Sequence, residues 1–143
     1  MTKWLILSLY KRFFTVLDGK SPVIATEPRV DGESNDRYEL QLAGPNFDRI
    51  ANNLVKATII VNISVVSEGD AENPHKHATR IQDAVDVFAN CIPVYKLGPL
   101  VTDDASNIGG MELNSSITVM HYGYDPVSLL NVSAVEAEYT FEG

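Results

Sequence analysis

The sequence predicts one α+β domain: a mostly antiparallel sheet of about four strands with two helices packed on one face. Two segments repeat apolar residues at helical spacing, and four others alternate or concentrate apolar residues as strands do. Their order is helix, two strands, helix, two strands, which suits an antiparallel sheet with its helices on one side. At 143 residues the chain fits one domain with one core.

The first helix is expected from about Thr2 to Leu17, closed by Asp18-Gly19, because glycine readily adopts the left-handed cap conformation. Leu5, Leu9, Phe13 and Val16 form its apolar stripe, flanked by Ile6 and Leu17 and widened by Trp4, Leu7 and Phe14. A helix this apolar is either deeply buried or shared with a neighbouring subunit. Residues 19–36, rich in Gly, Pro, Ser, Asn and acids, read as a surface loop or arm.

Tyr38, Leu40 and Leu42 alternate with Glu39 and Gln41 in a half-buried strand, and Gly44-Pro45-Asn46 marks its end. A connection of about ten residues, including Arg49, leads to the strongest strand, from Lys56 to Val66. Its Ala57, Ile59, Val61, Ile63 and Val65 share one face, a pattern that suits a central strand.

The second helix has Asn73 at its N-cap and Pro74 at its first position. Its stripe is Ile81, Ala84, Val85, Phe88 and Ala89, with Asp83 and Asp86 facing water and an end near Asn90. Val94 and Tyr95 form a short extended piece, and Pro99 to Gly110 read as a polar loop. Ile117, Val119 and His121 share a face of the next strand, which exits through Tyr122 to Pro126. Val135, Ala137, Tyr139 and Phe141 line one face of the last strand, with Glu136, Glu138, Thr140 and Glu142 on the other.

The formal net charge is −8, and residues 73–143 hold only Lys76, Arg80 and Lys96 against nine acids. Tight binding to nucleic acid needs clustered Lys and Arg, so this half argues against it. Cys91 is the only cysteine, which rules out an intramolecular disulfide. The apolar run Trp4 to Leu9 is too short for a membrane span, Lys11 and Arg12 interrupt it, and no small-residue cleavage site follows. Neither secretion nor membrane insertion is expected, and the sequons at Asn62, Asn114 and Asn131 read as chance matches.

No catalytic constellation emerges. His75 and His77 are two apart at a helix start and point to different faces, unlike metal ligands at i and i+4. Those two and the distant His121 are expected to face solvent or cap backbone, and Cys91 to be inert packing at the end of an apolar helix stripe. Asp103 and Asp104 with Asn107 lack a calcium-loop pattern, and Gly109-Gly110 has no following Lys-Ser/Thr for phosphate. No cofactor and no metal is expected.

Four segments carry a resemblance: Tyr38-Glu-Leu-Gln-Leu-Ala-Gly-Pro, Ala57-Thr-Ile-Ile-Val-Asn-Ile-Ser-Val, the stretch from His77 through Cys91-Ile-Pro-Val-Tyr-Lys-Leu-Gly, and Val135-Glu-Ala-Glu-Tyr. In content and order they resemble tailed-bacteriophage neck proteins of the tail-terminator, or tail-completion, type. The resemblance covers residues 37–97 and 116–141. It implies a structural virion protein and no enzyme: a homo-oligomeric ring, commonly hexameric, that caps the tail tube and joins tail to head. The implied partners are further copies, the tail tube protein, head-side neck proteins, and DNA that passes without specific binding.

On this reading the intersubunit contacts are sought at Trp4, Leu7, Phe14, Glu27, Asp31, Asp36 and Arg49, and lumen-facing acids at Asp103, Glu136 and Glu138. The implied location is the virion neck, assembled in the host cytoplasm. A head-side connector, a minor capsid or baseplate protein, and a cytoplasmic binding domain remain as alternatives.

Overall fold

The computed structural model describes residues 2–20, 23–25, 36–51, 54–69, 74–96, 106–114 and 116–142. Helices α1 (Thr2–Val16) and α2 (His75–Val85) accompany strands β1 (Val23–Ala25), β2 (Arg37–Ala51), β3 (Leu54–Glu68), β4 (Cys91–Lys96), β5 (Ser106–Leu113), β6 (Thr118–Asp125) and β7 (Leu130–Glu142). The α+β class, the two helices and the antiparallel character are as expected, but the sheet is larger. Among the described residues it has seven strands in the order β1-β2-β3-β7-β5-β4, with β6 also on β7. Six strands pair antiparallel, and β1 adds to β2 in parallel.

Strand β3 is central, as its composition suggests, between β2 and β7. Its register with β7 sets Ala57 beside Phe141, Ile59 beside Tyr139, Val61 beside Ala137 and Ile63 beside Val135. Because side chains alternate across a strand, these pairs share one face, and Tyr38 and Leu40 of β2 continue it beside Val65 and Ile63. All eleven side chains are buried, under both helices. Leu5, Leu9, Phe13 and Leu17 enter from the first helix and its following turn, and Ala84, Val87 and Phe88 from the end of the second. Each large aliphatic buried this way contributes about 1.5–3 kcal/mol. The ring of Phe88 stacks on Tyr139 at 6.4 Å, and the Tyr139 hydroxyl donates to the Ala89 carbonyl at 2.7 Å. Burial pushes the Tyr139 phenol up to about 12, so it remains a donor.

Four expectations are corrected. Gly44-Pro45 does not end the strand. One extra residue between the pairs Ala43/Ile60 and Asn46/Thr58 makes a bulge there, and β2 continues to Ala51, the cross-strand partner of Leu54. Proline is tolerated at a bulge because the ladder is already interrupted. Gly44 has φ +102°, and a Cβ would lie 2.9 Å from the Thr58 carbonyl oxygen. The supposed connection at 44–55 is therefore the far half of a long hairpin.

The second correction concerns helix α2. It starts one residue later than expected, with Pro74 as its N-cap, and stops at Val85. Tighter turns carry the chain through Val87 N–H to Ala84 O and Phe88 N–H to Val85 O, so Val87 and Phe88 stay buried past the helix end. Asn73 lies outside the described residues.

Third, part of the expected polar loop is β5, whose Ser-Asn-Ile-Gly-Gly run lacks alternation yet pairs with β4. Fourth, Val23–Ala25 of the expected arm is a strand, and residues 26–35 lie outside the described set. No described helix is long and apolar enough to cross a membrane, which says nothing of a β-barrel.

Candidate functional site

A buried polar chain pins α2 to the sheet. Arg80 Nε–H donates to Ser67 Oγ at 2.8 Å, and Ser67 Oγ lies 2.9 Å from His77 Nδ1. His77 Nε2 lies 2.9 Å from Ser133 Oγ, which is 3.1 Å from His121 Nδ1. One proton arrangement satisfies every member: Ser67 O–H donates to Nδ1, Nε2–H donates to Ser133, and Ser133 O–H donates to His121. This requires a neutral His77. Burial lowers its affinity for a proton, and the Arg80 charge lowers it further. Arg80 also donates from Nη2 to the carbonyls of Val66 and Arg37, both at 3.1 Å, and its guanidinium lies 4.3 Å from the Tyr38 ring centroid.

The arrangement contains serine–histidine pairs, but Ser67 and Ser133 are sealed from solvent, so no substrate reaches either hydroxyl. Its chemistry is structural. The expectation that His77 faces solvent is overturned: it sits one turn before Arg80 and two before Ala84 on the buried flank of α2. That spacing, extended back from Ala84, was the available signal. His75 and His121 are exposed. Cys91 is also exposed, opening β4 beside Glu112, so the reading of it as buried packing is overturned.

Among the described residues, besides the β6–β7 end where Tyr122, Val127 and Leu129 are exposed, three surfaces are open to a partner. The first is the far half of the β2–β3 hairpin, where the helices leave both faces open and Phe47, Ile50 and Leu54 are 45, 51 and 38% exposed. Exposed Arg49 sits among them. The second is the helix-free face of the sheet. There Glu136 and Glu138 follow each other along β7 beside Asn62 and Ile60. Asn62 donates to Glu136 at 3.4 Å, and Asn114 donates to Glu138. Ile60, 36% exposed, separates two hollows that both reach Glu136, one lined by Ser116, Thr118 and Glu138 and the other by Gln41, Ala43 and Asn62.

The third surface is an open groove of about 150 Å³ between α1 and β4, lined by Ser8, Lys11, Arg12, Thr15, Ile92, Pro93 and Tyr95. Its floor is rigid. The Tyr95 N–H donates to Ser8 Oγ at 2.8 Å, and Arg12 donates to the carbonyls of Val87 at 3.0 Å and Asp86 at 2.9 Å. Lys11 lies 5.7 Å from the Tyr95 ring, and Lys3 lies 4.6 Å from that of Trp4.

The sequence-nominated residues fall on different surfaces. Trp4 and Phe14 are half-buried and pack against their own core, and Leu7 is half-buried as well. Asp36 is engaged within the subunit: it accepts from Lys76 at 2.6 Å and from the Glu68 N–H at 2.7 Å. Against the upward pull of its partial burial, these bonds and the charges of Lys76 and Arg80 hold its carboxyl below the usual value. Arg49 lies on the hairpin, and Glu136 and Glu138 stand together on the helix-free face. Glu27, Asp31, Asp103 and Asp104 lie outside the described residues, and Asn107 accepts from the Gly109 N–H. Among the described residues no three His, Cys, Asp or Glu side chains converge as a metal site.

No known family's sequence profile matches the chain, and no curated protein matches it. Solved structures share its shape: one, whose name states no function, aligns over 98% of this chain and 95% of its own, with a TM-score of 0.56 and 13% identity. At that identity the likeness shows the fold alone.

Proposed function

We propose that this chain is a structural subunit of a tailed-phage neck, forming a closed ring that caps the tail tube and joins tail to head. The observation that carries the reading is the uncovered hairpin half with Phe47, Ile50 and Leu54. Large apolar side chains left exposed on both faces of one uncovered element suit a protein-docking surface. The four-segment sequence resemblance supplies the identity of the assembly, and an overall charge of −8 suits a ring through which DNA slides without sticking. In this ring the hairpin tips meet the adjoining layer, the tube protein on one side or a head-side neck protein on the other.

Particles assembled without this protein test the reading by electron microscopy. Overlong or headless tubes beside filled, tailless heads are the expected outcome. Tails of normal length that never join heads would make it a head-side connector, and intact infectious particles would refute the neck role.

A further inference from the structure

On this subunit the α1–β4 side carries mainly basic side chains and the helix-free face mainly acidic ones, with Lys56 beside Glu142 on the latter. Lys3, Lys11, Arg12 and Lys96, with the rings of Trp4 and Tyr95, gather along α1 and the end of β4. Glu112, Glu136 and Glu138 occupy the helix-free face, since Glu112 pairs with Thr140 on the same side of β7 as the other two. We infer that these surfaces are the two halves of one contact, in which the α1–β4 strip of one copy docks on the helix-free face of the next. The inference rests on the ring reading and names the lateral interface within it.

Three observations favour a second copy as the occupant of the acidic face. The charges are complementary, and complementary potentials both select and orient a partner. The face is not uniformly acidic: exposed Ile60 stands between two hollows that reach Glu136, a relief that receives long cationic and aromatic side chains. A surface that only repelled DNA would need neither the apolar knob nor the hollows. Finally, the β4 edge is closed to strand addition at two positions. Pro93 has no N–H and that of Tyr95 is taken by Ser8, so side chains must make the contact there. Because the two surfaces differ, the contact is heterologous and propagates head to tail, as a ring requires.

A reciprocal charge swap tests this on the full chain at low salt. The variants are Glu136→Lys/Glu138→Lys and Lys11→Glu/Lys96→Glu, with circular dichroism to establish folding and Glu136→Gln/Glu138→Gln as a milder substitute if the reversal unfolds. In sedimentation velocity the wild-type chain self-associates, and each folded variant alone loses about tenfold or more in association constant. An equimolar mixture recovers it, because alternating copies restore opposite charges at every junction. Variants that associate like wild type, a mixture that fails to recover, or a wild-type chain monomeric at every concentration would each overturn the contact. If the glutamate reversal left association intact but slowed DNA release from particles, the face would belong to DNA. Particles lacking the protein test the neck reading separately, so either idea can fall alone.

Discussion

At the residue scale, His77 bears the clearest consequence. Its folded-state pKa lies below the ordinary 6.5, because burial and the Arg80 charge oppose the imidazolium. The unfolded chain therefore binds a proton there before the native protein does. The resulting stability is fully present above about pH 6.5 and is lost as pH falls below it, by up to about 1.4 kcal/mol per pH unit. Asp36 and Asp125 are also lowered, but from 3.8, so their losses fall in a separate and more acidic window. Urea midpoints at pH 7, 6 and 5 should decline for wild type. In His77→Gln they should start lower, by about 1–3 kcal/mol for the broken hydrogen bonds, and change less across that range. A wild-type midpoint that is flat between pH 7 and 5 would show that His77 protonates without penalty. Little of this was legible beforehand, since Ser67 and Ser133 meet His77 only through strand pairing.

At the element scale, the long hairpin and the capped edge strand have different weak points. Gly44 combines a positive φ with a carbonyl 2.9 Å from where a Cβ would sit, so Gly44→Ala should destabilise by about 1–3 kcal/mol. Chemical denaturation measures it, and a neutral result would mean that the bulge shifts register freely. Ser8 is the sole bridge here between an α1 side chain and the Tyr95 N–H among the hydrogen bonds described above. Ser8→Ala leaves that donor without its hydroxyl acceptor and should cost about 1–3 kcal/mol, with faster amide exchange at Tyr95 than elsewhere in β4. The alternating stretches 38–42 and 56–66 were readable as strands, because one buried face imposes the period of two. Gly44-Pro45 reads as a terminator because a bulge and a turn draw on the same residues. β5 escapes recognition because Ser106 to Gly110 offer one large apolar side chain, Ile108, and the pairing with β4 rather than burial defines the strand.

At the scale of the whole molecule, salt separates two ways in which copies could cohere. Subunits that each carry −8 repel, and added salt screens that repulsion. Association through Phe47, Ile50 and Leu54 would therefore hold or strengthen as salt rises. A contact between the α1–β4 strip and the glutamate face draws on close opposite charges instead. The Debye length falls from about 10 Å at 0.1 M to 3 Å at 1 M, which weakens exposed pairs at the rim of such a contact. Self-association measured by sedimentation from 0.05 to 0.5 M sodium chloride should weaken by about tenfold, despite the relieved repulsion between net charges. The same titration on Phe47→Ser/Ile50→Ser/Leu54→Ser should give a similar slope if the hairpin serves the adjoining layer and not the lateral contact. An association that tightens with salt, and that the hairpin substitutions abolish, would move the lateral interface to the hairpin and leave the acidic face to another partner.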